Sequence, residues 1–109
     1  MTETAPDVIV RYFAATDAKD PSAIAACFAE SSTVVDEGQT YSGRSEIERW
    51  RRELIGKWSY TTTITGASSA APGEYRVSAH LVGDFPGGEA DLSFDFTLAG
   101  DEIVALHIG

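Results

Sequence analysis

The chain has 109 residues, with 8 basic and 17 acidic side chains and a formal net charge of −9. This length fits one domain, and 43% apolar with 23% charged residues is typical of a globular protein. The acidic balance argues against nucleic-acid and membrane partners, because a negative surface repels phosphate groups.

The cysteine content and the N-terminus indicate the compartment. Cys27 is a single cysteine, so it forms neither an internal disulfide nor a cysteine-based metal site. No apolar segment approaches the length of about 20 residues that crosses a bilayer. The start, MTETAPD, lacks the basic residues and the apolar stretch of a secretory signal. We therefore expect a cytoplasmic protein with one domain over residues 1–109.

Two helices are predicted in the first quarter of the chain. The first runs from about Pro6 to Ala18, with Thr4 and Asp7 as a capping box. The second follows Asp20, a favourable N-cap, with proline at its first position. Apolar residues at helical spacing mark the buried faces: Ile9, Tyr12, Phe13 and Thr16 in the first helix, and Ile24, Cys27 and Phe28 in the second.

A third helix, predicted from about Arg44 to Lys57, combines an apolar stripe with basic residues. The stripe consists of Ile47, Trp50, Leu54 and Trp58. Five of the eight basic residues belong to this helix: Arg44, Arg49, Arg51, Arg52 and Lys57. Because glutamates are interleaved with them, we expect a solvent-exposed, salt-bridged face. A rim that steers anions is the alternative.

The second half of the chain changes to a period of two. Residues 32–36 predict a short strand ahead of the third helix, and the following EGQTYSG predicts a turn-rich loop. Longer strands are predicted over 58–65, 75–81, 92–98 and 102–108, joined by short turns. In the third of these, Phe94, Phe96 and Leu98 face the core and Asp95 faces away. Helices followed by strands predict an α+β fold.

Five features of the first 58 residues carry a family resemblance. They are Tyr12 in the first helix, D-x-x-D-x-x-A-I ahead of the second, F-A-E at its end, V-V-D closing the strand, and G-R-x-E-I opening the third helix. Together they resemble the SnoaL-like and ketosteroid-isomerase-like branches of the nuclear-transport-factor-2-like superfamily. The resemblance implies a cone-shaped curved antiparallel sheet packed on three N-terminal helices. It also implies a cavity for a hydrophobic small molecule and a homodimer through the sheet.

The resemblance further implies a catalytic pair. Asp36 matches the general base of the isomerase-like branch, and Tyr12 matches the phenol that donates a hydrogen bond to the developing enolate. An apolar cavity raises the pKa of a carboxyl group and hence its basicity. Such a pair moves a proton between two carbons of a carbonyl compound, as an isomerase or cyclase does. The alternatives are a turn residue for Asp36 and a core aromatic for Tyr12.

Seven residues are predicted to bind substrate, with plain core as the alternative: Trp50, Trp58, Tyr60, Thr62, Phe13, Phe28 and Phe94. Family members with the full isomerase site carry a second acid on a late strand and further tyrosines beside the phenol. Here Phe94 stands at the position of the acid, and Phe28 and Arg51 stand at those of the tyrosines. Strand parity turns Asp95 away from the site. A non-catalytic ligand-binding or dimerisation module of the same fold is therefore the alternative function.

Both histidines are predicted outside the cavity. His80 has the opposite parity to Leu81, and His107 has the opposite parity to Leu106 and Ile108, so both should lie at the surface or in a dimer interface. Neither has an acidic residue at metal-ligand spacing. We therefore expect no metal and no cofactor.

Overall fold

The computed structural model of the chain describes residues 6–109, which form three helices and six strands. The helices are α1 (Asp7–Asp17), α2 (Pro21–Ala26) and α3 (Arg44–Lys57). The strands are β1 (Phe28–Asp36), β2 (Gln39–Ser42), β3 (Tyr60–Ala71), β4 (Glu74–Gly83), β5 (Glu89–Ala99) and β6 (Glu102–Ile108). Within this range no helix has both the length and the apolar character needed to cross a membrane.

The six strands form one curved, unclosed sheet in the order β2-β1-β6-β5-β4-β3. All neighbours are antiparallel except β1 and β6, which run parallel. The sheet is therefore mixed, whereas the sequence predicted an antiparallel one, because the last strand inserts beside the first in the same direction. The predicted α+β class, with three helices and a cone-like curved sheet, is confirmed.

Local signals set the helix boundaries close to their predicted places. The Oδ1 atom of Asp20 accepts a hydrogen bond from the backbone N–H of Ala23 at 3.1 Å, and Pro21 is the first residue of α2. α3 spans the predicted range. α1 begins at Asp7, one residue later than predicted. Thr4 of the predicted capping box lies outside the described residues.

The first hairpin differs from its prediction of a short strand and a loop. β1 begins at Phe28, which therefore belongs to a strand rather than to the face of the second helix. Residues 39–42 form β2, in which Gln39 pairs with Asp36. Between them, Glu37 and Gly38 have φ values of +52° and +75°, as a two-residue hairpin turn requires. A short, mostly exposed strand of polar residues has little periodicity, so composition indicated a loop.

The concave face of the sheet packs against the helices and forms the core. Phe94 and Phe96 on β5 are 5% and 1% exposed, which confirms their predicted parity. β3 keeps the predicted alternation only at its start, since its pairing shifts between Ile64 and Gly66 and Ile64 is exposed.

Candidate functional site

A cavity of about 570 Å³ is enclosed by α1, α3 and the concave face of the sheet. This volume lies within the range of small-molecule sites in proteins, which is roughly 300–1,000 Å³. Six of the seven residues predicted to bind substrate line it: Phe13, Trp50, Trp58, Tyr60, Thr62 and Phe94. Five of these six side chains are aromatic, so the wall is suited to a flat or cyclic apolar ligand.

Phe28, the seventh predicted substrate-binding residue, lies elsewhere. It is fully buried at the start of β1, and its ring meets the ring of Tyr12 edge to face with 6.0 Å between centroids. The structure therefore corrects its assignment, because the longer β1 carries Phe28 into the core rather than into the cavity wall. From there it supports the Tyr12 ring.

Tyr12 contributes to the cavity wall from α1 while exposing no surface. Its ring packs edge to face against Phe13 and Phe96, with centroids 5.1 and 5.4 Å away. Its hydroxyl has no hydrogen-bond partner among residues 6–109, although such an unpaired buried group costs about 1–3 kcal/mol. Burial raises the pKa of Tyr12 to about 12, against the opposing charge of Arg51. The phenol therefore keeps its proton at neutral pH and is a hydrogen-bond donor.

Asp36 ends β1 and is partly buried in the wall of the same cavity. Burial raises its pKa above the ordinary value, and the negative charge of Glu37 adds to the rise. The guanidinium of Arg51, the indole of Trp50 and the charge of His107 act in the opposite sense. Because the net shift is upward, the Asp36 carboxylate is a stronger base than one in water.

Arg51 corrects the prediction that all basic residues of α3 face solvent. Its side chain is 3% exposed and lies in the cavity wall, whereas the other basic residues of the helix are exposed as predicted. The guanidinium carbon lies 5.0 Å from the ring centroid of Trp50 and 5.9 Å from that of Tyr12. Its Nη2 approaches the hydroxyl oxygen of Thr16 at 3.4 Å. Its Nε has no hydrogen-bond partner among the described residues.

The sequence contained a signal for the position of Arg51. Ile47, Trp50, Arg51 and Leu54 stand at i, i+3, i+4 and i+7, which is the spacing of one helix face. Its basic side chain, by contrast, predicted exposure, as for the other arginines of the helix. Position along the helix was therefore more informative here than residue type.

The other acidic and histidine candidates lie on the outer face of the sheet. Asp95 accepts two hydrogen bonds from Arg76, at 2.6 and 3.1 Å. The ring nitrogens of His80 lie 2.7 and 3.0 Å from two carboxylates, and His107 is exposed opposite Asp95. These places agree with the predicted strand parity. Within residues 6–109, no three His, Cys, Asp or Glu side chains converge as metal ligands would.

Two aromatic residues of the wall were not indicated by the sequence. Tyr41 of β2 stacks on Trp50, with ring centroids 5.2 Å apart. Phe85, just before the predicted turn at 86–88, meets the ring of Tyr60 edge to face at 6.3 Å. Both residues lie in or beside segments predicted to be loops or turns, where strand parity gives no direction.

Sequence comparison assigns most of the chain to one family model. The model of the SnoaL-like domain matches residues 9–105, which include α2, α3, all of α1 except its first two residues, and nearly the whole sheet. No curated protein matches the chain by sequence at a significant level.

Many solved structures superpose on the chain, and three illustrate the range. A candidate polyketide cyclase from Sinorhizobium meliloti is 30% identical, with a TM-score of 0.91 over 96% of this chain and 95% of that one. A protein with a ketosteroid-isomerase-like fold from Catenulispora acidiphila, solved in complex with trimethylamine, is 25% identical, with a TM-score of 0.88 over 97% and 86%. An epoxide hydrolase/cyclase-like enzyme of pyran ring formation in the polyether salinomycin shares only the fold, at 17% identity and a TM-score of 0.81 over 94% and 86%.

Proposed function

The chain belongs to the SnoaL-like domain family of the nuclear-transport-factor-2-like superfamily, and on this premise we propose that it binds a hydrophobic carbonyl compound and transfers a proton on it, as an isomerase or cyclase does. One observation carries the proposal. Tyr12, with a buried hydroxyl that no described residue satisfies, and Asp36, with a raised pKa, belong to the wall of one aromatic-lined cavity.

The composition of the wall supports an apolar ligand. The wall contains the rings of Phe13, Trp50, Trp58, Tyr60 and Phe94 beside several polar and charged side chains. Aromatic rings contribute large contact areas and pair with other rings in edge-to-face or offset geometry. A ring-bearing carbonyl compound would contact these rings and leave its oxygen for the polar groups of the wall.

The proposed chemistry needs only the two side chains and the ligand. The Asp36 carboxylate removes a proton from the carbon next to the carbonyl group, and the C–H electron pair moves to form an enolate. The Tyr12 O–H donates a hydrogen bond to the enolate oxygen, and Asp36 returns the proton to the same or a conjugated carbon. A general base of this kind contributes about 10²–10⁴-fold, and a preorganised donor contributes about 2.7–4 kcal/mol.

The burial of Tyr12 sets a condition on this chemistry. Because the residue exposes no surface, a ligand reaches the hydroxyl only when a neighbouring side chain of the wall moves. Rotamer changes of this kind are common when a protein binds a partner, while the backbone moves little.

Deuterium exchange tests the proposal. The probe is 2-tetralone in D2O, and NMR follows the loss of its signals from the carbons next to the carbonyl group. We expect the protein to accelerate exchange, and Asp36→Asn to slow the protein-dependent rate by about 10²–10⁴-fold. Asp95→Asn makes the same chemical change on the outer face and should keep the wild-type rate. If the ketone binds but the wild type exchanges it no faster than buffer does, the protein is a non-catalytic binding module. If Asp36→Asn keeps an accelerated wild-type rate, Asp36 is not the base.

We further propose a homodimer through the outer face of the sheet. Val82, on this face of β4, is 47% exposed and is paired with the exposed Thr61 of β3. Exposed apolar side chains beside polar ones are common in interfaces. Light scattering on dilution should show a dimer that Val82→Asp weakens. Val10→Asp, at an equally exposed valine on α1, is the control, and a wild-type monomer at all concentrations contradicts the proposal.

A further inference from the structure

We propose that the ligand of the cavity carries a carboxylate group and that Arg51 binds it, with the apolar body of the ligand against the aromatic wall. This inference names the ligand class of the site and rests on the proposed function only in placing the ligand in the same cavity. It makes Arg51 a residue that determines specificity, in addition to the pair that transfers the proton.

The first argument is the charge of Arg51 and the lack of an anionic group in direct contact with it among the described residues, although its charge also acts on the more distant Asp36. The side chain is 3% exposed, and within residues 6–109 no carboxylate oxygen lies within 4.0 Å of its nitrogens. Removing a cation from water is costly unless an anion or hydrogen-bond acceptors replace the water. Residues 6–109 supply neither in full, so the site favours a ligand that does.

The second argument is the count of donors. A guanidinium has five N–H groups and no acceptor. One nitrogen reaches the hydroxyl of Thr16 at 3.4 Å, which is a long hydrogen bond. The Nε atom has no partner among the described residues. The rings of Trp50 and Tyr12 attract the positive charge and hold the group in place, but they are not oxygen acceptors.

The third argument selects a carboxylate among anions. A carboxylate is planar and presents two oxygens that match the fork of a guanidinium. Asp36 belongs to the same wall, and its negative charge repels a phosphate dianion about twice as strongly as a monoanion. The aromatic side chains around the rest of the space favour a ring-bearing acid over a small inorganic ion.

The acidic residues at the rim do not oppose this assignment strongly. Glu37 and Glu53 belong to the wall but are exposed, as is Lys57. Interactions of exposed charges are screened by solvent and salt, while those of a buried charge are screened much less. The buried Arg51 therefore dominates the preference of the inner part of the cavity.

Calorimetric titration with three matched probes tests the proposal. The probes are 2-naphthoate, its neutral amide 2-naphthamide, and the cationic 2-naphthylmethylammonium. The wild type should bind the acid at least about tenfold more tightly than the amide, since a hydrogen bond to a charged group is worth that factor or more. Arg51→Met should remove this preference and keep the affinity for the amide. Arg52→Met, at the exposed neighbouring arginine on the same helix, should bind all three probes like the wild type.

Two further measurements keep the test decisive if Arg51→Met folds poorly. Arg51→Lys retains the charge without the fork and should bind the acid with intermediate affinity. In the wild type, the NMR signal of the Arg51 Nε–H should shift on addition of 2-naphthoate and not on addition of 2-naphthamide. Equal binding of acid and amide by the wild type, or preference for the ammonium probe, overturns the proposal.

Asp36→Asn separates this proposal from the proposed function. Removing the carboxylate takes a like charge away from the bound acid, so this variant should bind 2-naphthoate more tightly than the wild type while it loses exchange activity. Acid preference without any exchange activity in the wild type would overturn only the proton transfer. Exchange activity without acid preference would overturn only the role of Arg51.

Discussion

The polar side chains on the two faces of the sheet differ in how far their hydrogen bonds are satisfied. On the outer face, Arg76 pairs with Asp95 and His80 contacts two carboxylates, all of them in reach of solvent. On the cavity side, Tyr12 and Arg51 are buried, and each has a polar atom that no described residue satisfies. The outer groups pair with one another although water could replace each partner, whereas the inner groups lack full partners among residues 6–109.

The difference matters because an unpaired polar group costs much more free energy when it is buried than when it is exposed. An exposed pair has water as an alternative partner, so its formation changes stability little. A buried donor or cation has no such alternative, so leaving it unpaired is unfavourable. Of the three buried side-chain polar atoms without a partner among the described residues, two belong to the cavity residues Tyr12 and Arg51 and the third to Ser32 of β1. A bound ligand would complete the two in the cavity, whose wall also includes Asp36. The following predictions test the contrast between the two faces.

The effect of Tyr12→Phe on exchange is the largest of the three effects predicted below. Loss of the hydroxyl should slow exchange of 2-tetralone by about 10²–10³-fold, the effect of removing one donor from an oxyanion site. Stability to urea should stay unchanged or rise, because the hydroxyl has no partner among residues 6–109 to lose. Tyr75→Phe, at a partly buried tyrosine outside the cavity wall, is the control for exchange. A marked loss of stability in Tyr12→Phe would show that the hydroxyl is satisfied in solution.

Asp36→Asn should have a smaller, pH-dependent effect on stability. Burial and Glu37 raise the pKa of Asp36 in the folded state, so folding favours the protonated form. Stability of the wild type therefore falls as the pH rises from the ordinary carboxyl pKa through the raised one. The variant should be more stable than the wild type near neutral pH, and the difference should vanish below about pH 3.9.

Urea unfolding of the two proteins across this pH range measures the effect. Glu37→Gln is a useful companion, because it removes the second-largest cause of the raised pKa and should move the wild-type transition toward lower pH. A wild type that is more stable than Asp36→Asn at neutral pH would mean that the Asp36 carboxylate is satisfied when ionised.

Arg76→Gln should have the smallest effect. The pair with Asp95 lies in solvent on the outer face, and removal of the cation should raise the lowered pKa of Asp95 back toward its ordinary value. We expect no measurable change in the urea midpoint at neutral pH or in the binding of 2-naphthoate. A large loss of either would remove the distinction between the two faces.

The fold was predictable from the sequence where local signals are strong. The cap at Asp20 and the proline after it, the range of α3, and the parity of Phe94 and Phe96 all depend on neighbouring residues and appear as predicted. β2 was missed because its turn depends on positive φ at Glu37 and Gly38, which polar composition does not distinguish from a loop. The parallel pairing of β1 with β6 is a long-range choice that local pattern does not contain.

The candidate site was predictable only in part. Tyr12 and Asp36 came from the family resemblance, and the structure places them in the wall of one cavity. The basic residue type of Arg51 predicts an exposed side chain, but Arg51 lies on the apolar face of the helix and is buried. The lack of a partner for its Nε among the described residues depends on which side chains the fold brings near it, and the helix pattern does not contain that information.

Intermolecular NOEs between labelled protein and bound 2-tetralone test the central claim most directly. The account predicts NOEs from the ketone to the rings of Phe13, Trp50 and Phe94, with a chemical-shift change at the Asp36 carboxyl carbon. It also predicts that the outer-face histidine His80 is unaffected. NOEs confined to exposed residues such as Val82, with no change at Asp36, would contradict the claim that this cavity is the ligand site.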